Sequence, residues 1–206
     1  MLISDQHRFI FIHIPKTAGS SIRANLTDYA LTQPESGFYS ILRRFNLPRD
    51  YRKFRFRLHS SLQDIQLKMP DDLFANYKKI AFVRNPWDRM VSSYAYKVHG
   101  TEVKQRSRTD SFETFINSEF ERNKSRQIDY LVNTQGEIGC DFIGRFESID
   151  EDYQKLSDYL QIKLPELSVL NKSKRKSNYQ DFYNDKTKQL VADYFQKDIE
   201  LLGYSF

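Results

Sequence analysis

The sequence predicts an α/β protein: a three-layer sandwich with a central parallel sheet and helices on both faces. Three observations lead there. Short runs rich in β-branched and aromatic residues recur at 8–14 (RFIFIHI), 78–83 (KKIAFV) and 140–146 (CDFIGRF). A helical pattern follows each run, and strands separated by helices pair in parallel and need both faces covered. No stretch rich in Pro, Gly or Ser divides the 206 residues, so they read as a single domain, 1–206.

The elements follow in order. Residues 8–14 read as a buried strand, 15–21 as a tight loop of small residues, and 20–30 as a helix with Ile22 and Leu26 on one face. The stretch 32–57 is irregular, although 54–58 alternates aromatic and basic residues in the manner of an edge strand. His59 precedes a helical stretch at 60–68. The run 78–83 is a second buried strand. Pro86 ends it and suits the first turn of the helix that continues to Val98. A polar loop covers 100–110, and an amphipathic helix capped by Ser111 covers 111–121. After the third strand, Ser148 and Glu151 fit a capping box for a helix over 148–160. One long helix over 185–202 closes the chain, ended by Gly203.

Composition narrows the function. Hydrophobic residues make up 39%, with 16 Phe and 13 Tyr, enough for a core that is largely aromatic. The net charge of +5 points to anionic partners. The charge is also clustered: 43–57 holds seven Lys or Arg and one acid, Asp50, and 172–176 holds four cations in five residues. A single cysteine, Cys140, excludes an internal disulfide and metal sites built on several thiolates, and fits a reducing compartment. The first eight residues are polar and no run of 18 apolar residues occurs, so the expectation is a soluble, cytoplasmic protein without a membrane span.

Two loops carry the chemistry. A strand, a small-residue loop and a helix make an anion cradle, since backbone N–H groups at a helix start point outward and the helix dipole adds positive charge. In 15–21 (PKTAGSS), Lys16 supplies a full charge, Gly19 permits close approach, and Ser20 and Ser21 offer hydroxyls. This is not a Walker A loop, because the lysine precedes the glycine by three residues. An incidental lysine in an ordinary strand–helix turn is the plain alternative. The second strand ends in RNPWDRMVSSY, at 84–94. An ATP- or GTP-using P-loop enzyme places a magnesium-holding Asp near such a strand end. Here Arg84 stands first, a residue that grips phosphate and cannot serve a metal. Ser92, eight positions on, is placed to reach the same anion. A helix cap with surface ion pairs is the plain reading of this segment.

Together, HIPKTAGSS and FVRNPWDRMVSSY resemble the sulfotransferase family, and within it the carbohydrate-directed branch. The segment 141–147 (DFIGRFE) resembles that family's third strand and turn, and 181–206 its closing helix. The likeness covers nearly the whole chain and is weakest at 32–57 and 97–138. It implies a P-loop-type, nucleotide-hydrolase-like fold and, as donor, 3′-phosphoadenosine 5′-phosphosulfate (PAPS), which leaves as 3′,5′-adenosine bisphosphate. It implies that Lys16, Thr17, Ala18, Gly19, Ser20 and Ser21 hold the 5′-phosphosulfate and that Arg84 and Ser92 hold the 3′-phosphate. A loop over the nucleotide would bring Lys172, Lys174 and Arg175 to the 3′-phosphate; a solvated basic loop is the alternative. No metal is expected, because a sulfuryl group carries less charge than a terminal phosphoryl, and Lys16 with backbone donors can stabilise the leaving phosphate.

The acceptor hydroxyl needs a general base. The histidines and scattered carboxylates are candidates. His59 occupies the place where the resemblance puts a base, with a partly buried histidine capping a helix as its plain alternative. His99 is second in line, and His13 reads as structural or as a support behind the reacting groups. The implied acceptor is a glycan or glycoconjugate, with the basic aromatic stretch 43–57 a guide for an acidic sugar. Trp87 reads as helix-start packing. Three rivals remain open: an ATP-dependent kinase, a nucleic-acid-binding module using the basic runs, and a sulfotransferase-like fold that binds nucleotide without catalysis. The kinase lacks its Walker lysine and metal carboxylate, and the nucleic-acid module leaves both phosphate loops unexplained. The oligomeric state has no signature in the sequence.

Overall fold

Four strands form one sheet in the order β1 (Leu2–Ser4), β2 (Phe9–Ile12), β3 (Lys78–Val83) and β4 (Phe142–Arg145). The structure is a computed structural model and describes residues 1–30, 56–99, 111–123, 125–167 and 178–206, with the side chain of His99 excluded. The helices are α1 (Gly19–Thr27), α2 (Leu62–Gln66), α3 (Asp71–Asn76), α4 (Pro86–His99), α5 (Phe112–Glu121), α6 (Ile128–Leu131), α7 (Ile149–Leu160), α8 (Asp185–Tyr194) and α9 (Gln196–Leu202).

β2, β3 and β4 run parallel, as the sequence predicts, with Ile10 opposite Lys79 and Ala81 opposite Ile143. β1 departs from the prediction. It pairs antiparallel with β2, Ile3 opposite Ile10. The connection between them is four residues, 5–8, which is long enough for a reversal and too short for a parallel crossover. Only three residues of β1 pair, too few to show a period among the polar residues around them.

The pleat divides the strand side chains between two cores. Phe9, Phe11, Ile80 and Phe82 meet Ile22 and Leu26 of α1 and Tyr153, Leu156 and Leu160 of α7. Ile10, Ile12, Ala81 and Val83 face the other way, toward Leu62 and Ile65 of α2, Ile128 and Leu131 of α6, and Leu202 of α9. Burial of such a side chain stabilises by roughly 1.5–3 kcal/mol, so each helix layer is bound to the sheet by several times that. A third cluster joins Trp87 and Met90 of α4, Phe115 and Ile116 of α5, Val191 of α8, and Phe195. Trp87 packs there edge-on to Phe206, the helix-start role the sequence assigns it.

Three expectations are corrected. Residues 56–58 are not strand but lead into a turn at His59. Ser148 does not close a capping box with Glu151: its hydroxyl donates to Asp152 at 2.9 Å, and Asp152 also accepts from the Arg145 N–H at 2.8 Å, so a short 3₁₀ turn, Phe146–Ser148, precedes α7. The helix expected over 185–202 breaks at Phe195 (φ −101, ψ 23) into α8 and α9. The break leaves the Tyr194 carbonyl to accept from Arg126 Nε at 3.0 Å, and it buries both Phe195 and Asp198. Ser111 caps α5 as predicted, accepting from Thr114 N at 3.1 Å, and Gly203 ends α9 in the left-handed region at φ 64.

Candidate functional site

Parallel strands with helices on both faces place their ligand crevice beyond the carboxyl ends of the strands. β2 and β3 both end there, and the two sequence motifs begin at those ends. The loop after β2 turns tightly: Lys16 (φ 70) and Ala18 (φ 62) have positive φ, while Thr17 between them does not. Left-handed residues alternating with ordinary ones are the backbone pattern from which anion-binding nests are built. Two non-glycine residues in the left-handed region cost about 1–2 kcal/mol each, so this shape is strained. Ala18 also caps α1, with its carbonyl accepting from Ser21 and Ile22 N–H at 3.0 and 3.2 Å. The first N–H groups of α1, on Gly19 and Ser20, follow directly on this turn, at the positively polarised end of the helix.

The loop's side chains have distinct tasks. The Lys16 ammonium lies 4.2 Å from the centre of the Tyr96 ring, an aromatic more than half exposed. Thr17 is buried and its hydroxyl donates to the Ile14 carbonyl at 3.0 Å, so its side chain braces the loop. Ser20 is exposed and Ser21 buried. Gly19 has a role the sequence reading did not foresee. A Cβ there would stand 2.1 Å from His13 Cδ2, so glycine is required by the His13 ring packed against it.

His13 and His59 sit together, ring centres 4.7 Å apart. His59 Nδ1 lies 2.7 Å from the His13 carbonyl oxygen and therefore donates to it, which leaves Nε2 as the lone-pair nitrogen. His13 itself is 4% exposed, and burial pulls its pKa down to about 3, with the neighbouring His59, the terminal amine and Arg23 adding to the fall. A ring held neutral and buried suits a structural role, and the carbonyl of His13 orients His59. Ser61 accepts from Asp64 N at 3.1 Å and closes a capping box that starts α2 directly after this histidine.

The second motif converges on the same loop. Arg84 is buried; its Nε and Nη2 contact Asp88 Oδ2 at 2.8 and 2.7 Å, its Nη1 donates to the Lys16 carbonyl at 3.3 Å, and its guanidinium lies 3.7 Å from the Phe146 ring centre. Arg89 is fully buried and donates from Nε to the Pro15 carbonyl at 3.1 Å and from Nη2 to the Ser125 carbonyl at 3.1 Å. Both arginines thus fix the backbone of the first loop. Asn85 caps α4, accepting from Trp87 N at 3.0 Å, and donates from Nδ2 to the Ser205 carbonyl at 2.7 Å. Ser92 lies one turn beyond Asp88 on the same face of α4, half-buried.

Lys16 to Ser21, Arg84, Ser92 and His59 therefore gather at one end of the sheet. Lys172, Lys174, Arg175, the side chain of His99 and most of the basic stretch 43–57 lie outside the described residues. Asp88, Arg89, Gln127 and Phe146 belong to the site and escaped the sequence reading. Only Asp88 carried a signal, its i,i+4 spacing from Arg84. No group of His, Cys, Asp and Glu suited to a metal occurs among the described residues, and no described helix is long and apolar enough to cross a membrane.

The model of the sulfotransferase family matches residues 1–205. Human carbohydrate sulfotransferase 9 is 23% identical over 243 residues, a match that takes in 98% of this chain and 52% of the relative. The chain thus spans about half the length of that protein. Among solved structures, mouse sulfotransferase SULT7A1, crystallised in complex with PAP, superposes with a TM-score of 0.56 at 13% identity, covering 96% of this chain and 85% of that one. At that identity the likeness establishes the fold.

Proposed function

The chain belongs to the sulfotransferase family, and we propose that it transfers a sulfuryl group from PAPS to a hydroxyl of a carbohydrate acceptor. The single observation that carries the proposal is the convergence of Arg84 on the Lys16 carbonyl, which joins the two anion-binding loops into one cradle. The donor set suits an adenosine bisphosphate: the loop and helix start for one phosphate, and Arg84 with Ser92 for another. The glycan acceptor rests on the likeness to carbohydrate sulfotransferase 9, and the donor on the family and on the PAP complex of the mouse structure.

PAPS supplies an activated sulfur–oxygen bond; the rest is done by the chain. His59 Nε2, fixed as acceptor by the bond from Nδ1, takes the proton of the acceptor hydroxyl as its oxygen attacks sulfur. Lys16 and the first N–H groups of α1 stabilise the charge growing on the departing 5′-phosphate. Asp88 and Phe146 hold two sides of the Arg84 guanidinium and fix its orientation. Incubation with ³⁵S-labelled PAPS and a panel of uronic-acid and neutral glycans tests the reading. Label on a glycan, lost with His59→Ala, is expected. Label on no glycan, with transfer to a phenol or steroid, would overturn the acceptor class. No transfer to anything, with PAPS still bound, would leave a nucleotide-binding protein without catalysis.

A further inference from the structure

We propose that Gln127 is a positioning residue that sets recognition of the nucleotide's 3′-phosphate by clamping the backbone of Arg84; this rests on the Arg84 role proposed above. β3 ends at Val83, whose last sheet partner is Arg145. Arg84 must leave the sheet with its own N–H and C=O buried. The Gln127 side chain serves both groups: Oε1 accepts from Arg84 N at 2.8 Å, and Nε2 donates to Arg84 O at 2.7 Å. One amide thus replaces a neighbouring strand for one residue. Gln127 is 0% exposed, so water is no substitute.

Gln127 is held in turn by a carboxylate. Asp198, also 0% exposed, accepts from Gln127 N at 2.8 Å and Ile128 N at 2.9 Å. It stands at the start of α9, where the break at Phe195 turns it inward. The closing helices therefore reach Arg84 through Asp198 and Gln127. With both polar groups of its main chain held by Gln127, Arg84 starts its side chain from a fixed Cα, and its guanidinium meets Asp88 and the Lys16 carbonyl. Without the clamp the Arg84 main chain is no longer held and the guanidinium loses its aim, while Arg89 on the Pro15 carbonyl and Thr17 on the Ile14 carbonyl still brace the first loop. The prediction is therefore a selective loss, not a general one.

The test is calorimetric titration of wild type and Gln127→Met with 3′,5′-adenosine bisphosphate and with AMP, which lacks the 3′-phosphate. Wild type is expected to prefer the bisphosphate, and Gln127→Met to lose at least about tenfold of that preference, the equivalent of roughly 1.4 kcal/mol, with AMP affinity unchanged. Gln127→Glu keeps the accepting oxygen and loses the donor, and should fall between the two. Equal losses for both ligands, or an unchanged preference, would overturn the proposal while leaving the Arg84 assignment standing. A wild type with no preference would overturn both. Should the variants fail to fold, the Gln127 side-chain amide of the wild type is read by NMR. Its signals should shift, and its exchange slow, with the bisphosphate and not with AMP; identical responses to the two ligands would contradict the clamp.

Discussion

Lys16 stands on the strand side of its loop, with its ammonium over Tyr96 and its carbonyl held by Arg84. If that ammonium stabilises the leaving phosphate, Lys16→Ala lowers kcat by about 10²–10³-fold, measured by single-turnover transfer from PAPS; a near-normal rate would remove it from that role. His59 differs in kind. Its Nδ1 is committed to the His13 carbonyl, so its Nε2 is the nitrogen that takes a proton. His59→Ala should cost about 10²–10⁴-fold in kcat, the range for a general base, and leave bisphosphate affinity intact. A fully active variant would move the role elsewhere. Arg84 needs a more careful variant, because its guanidinium is paired inside the protein. Deleting one member of a buried pair costs about 3–5 kcal/mol, so Arg84→Ala mixes stability with binding. Arg84→Lys keeps a charge for Asp88 and loses the planar fork that suits bidentate contact with a phosphate. It should weaken the bisphosphate far more than AMP, and equal weakening would argue against a 3′-phosphate contact.

At the level of elements, the strand–loop–helix unit from β2 to α1 is fixed from two sides. Gly19→Ala drives a Cβ to within 2.1 Å of the His13 ring. The expected result is a fall in melting temperature, largely restored by adding His13→Ala, which opens the space. Strictly additive losses would show that the ring contact does not set the glycine. These relations explain which parts of the molecule the sequence discloses. β2 and β3 were legible because central parallel strands are buried on both faces and read as apolar runs; β4, at the edge of the sheet and half-buried, was legible from the apolar pair Phe142 and Ile143. The two loops were legible because short stretches of chain hold their charged and small residues. The partners that hold those loops were not. Gln127 lies 43 residues from Arg84, and Asp198 a further 71 from Gln127, with no period or spacing to join them. The long-helix expectation over 185–202 failed for a related reason: α8 and α9 each have sound helical patterns, and only the tertiary demand to bury Phe195 and Asp198 breaks them apart.

Across the whole molecule, two cores fix the helices to the sheet and a third ties α4, α5 and α8 together beside it. The strained loop of Lys16 and Ala18 lies where strands β2 and β3 leave the first two. His13 links that site to global stability. Its pKa is lowered to about 3 in the fold against an ordinary 6.5. Between those values the unfolded chain takes up a proton that the folded chain refuses. Stability from His13 is therefore present above pH 6.5 and is lost progressively as pH falls toward 3. Urea unfolding of wild type and His13→Gln across that range should show the shallower acid slope in the variant; parallel slopes would mean that His13 is not held neutral. Whether the chain takes an adenosine bisphosphate is decided by calorimetric titration with 3′,5′-adenosine bisphosphate, beside ATP and without added metal. Tight, metal-independent binding of the bisphosphate with little binding of ATP is the predicted result; no binding, or a preference for ATP with magnesium, would contradict it.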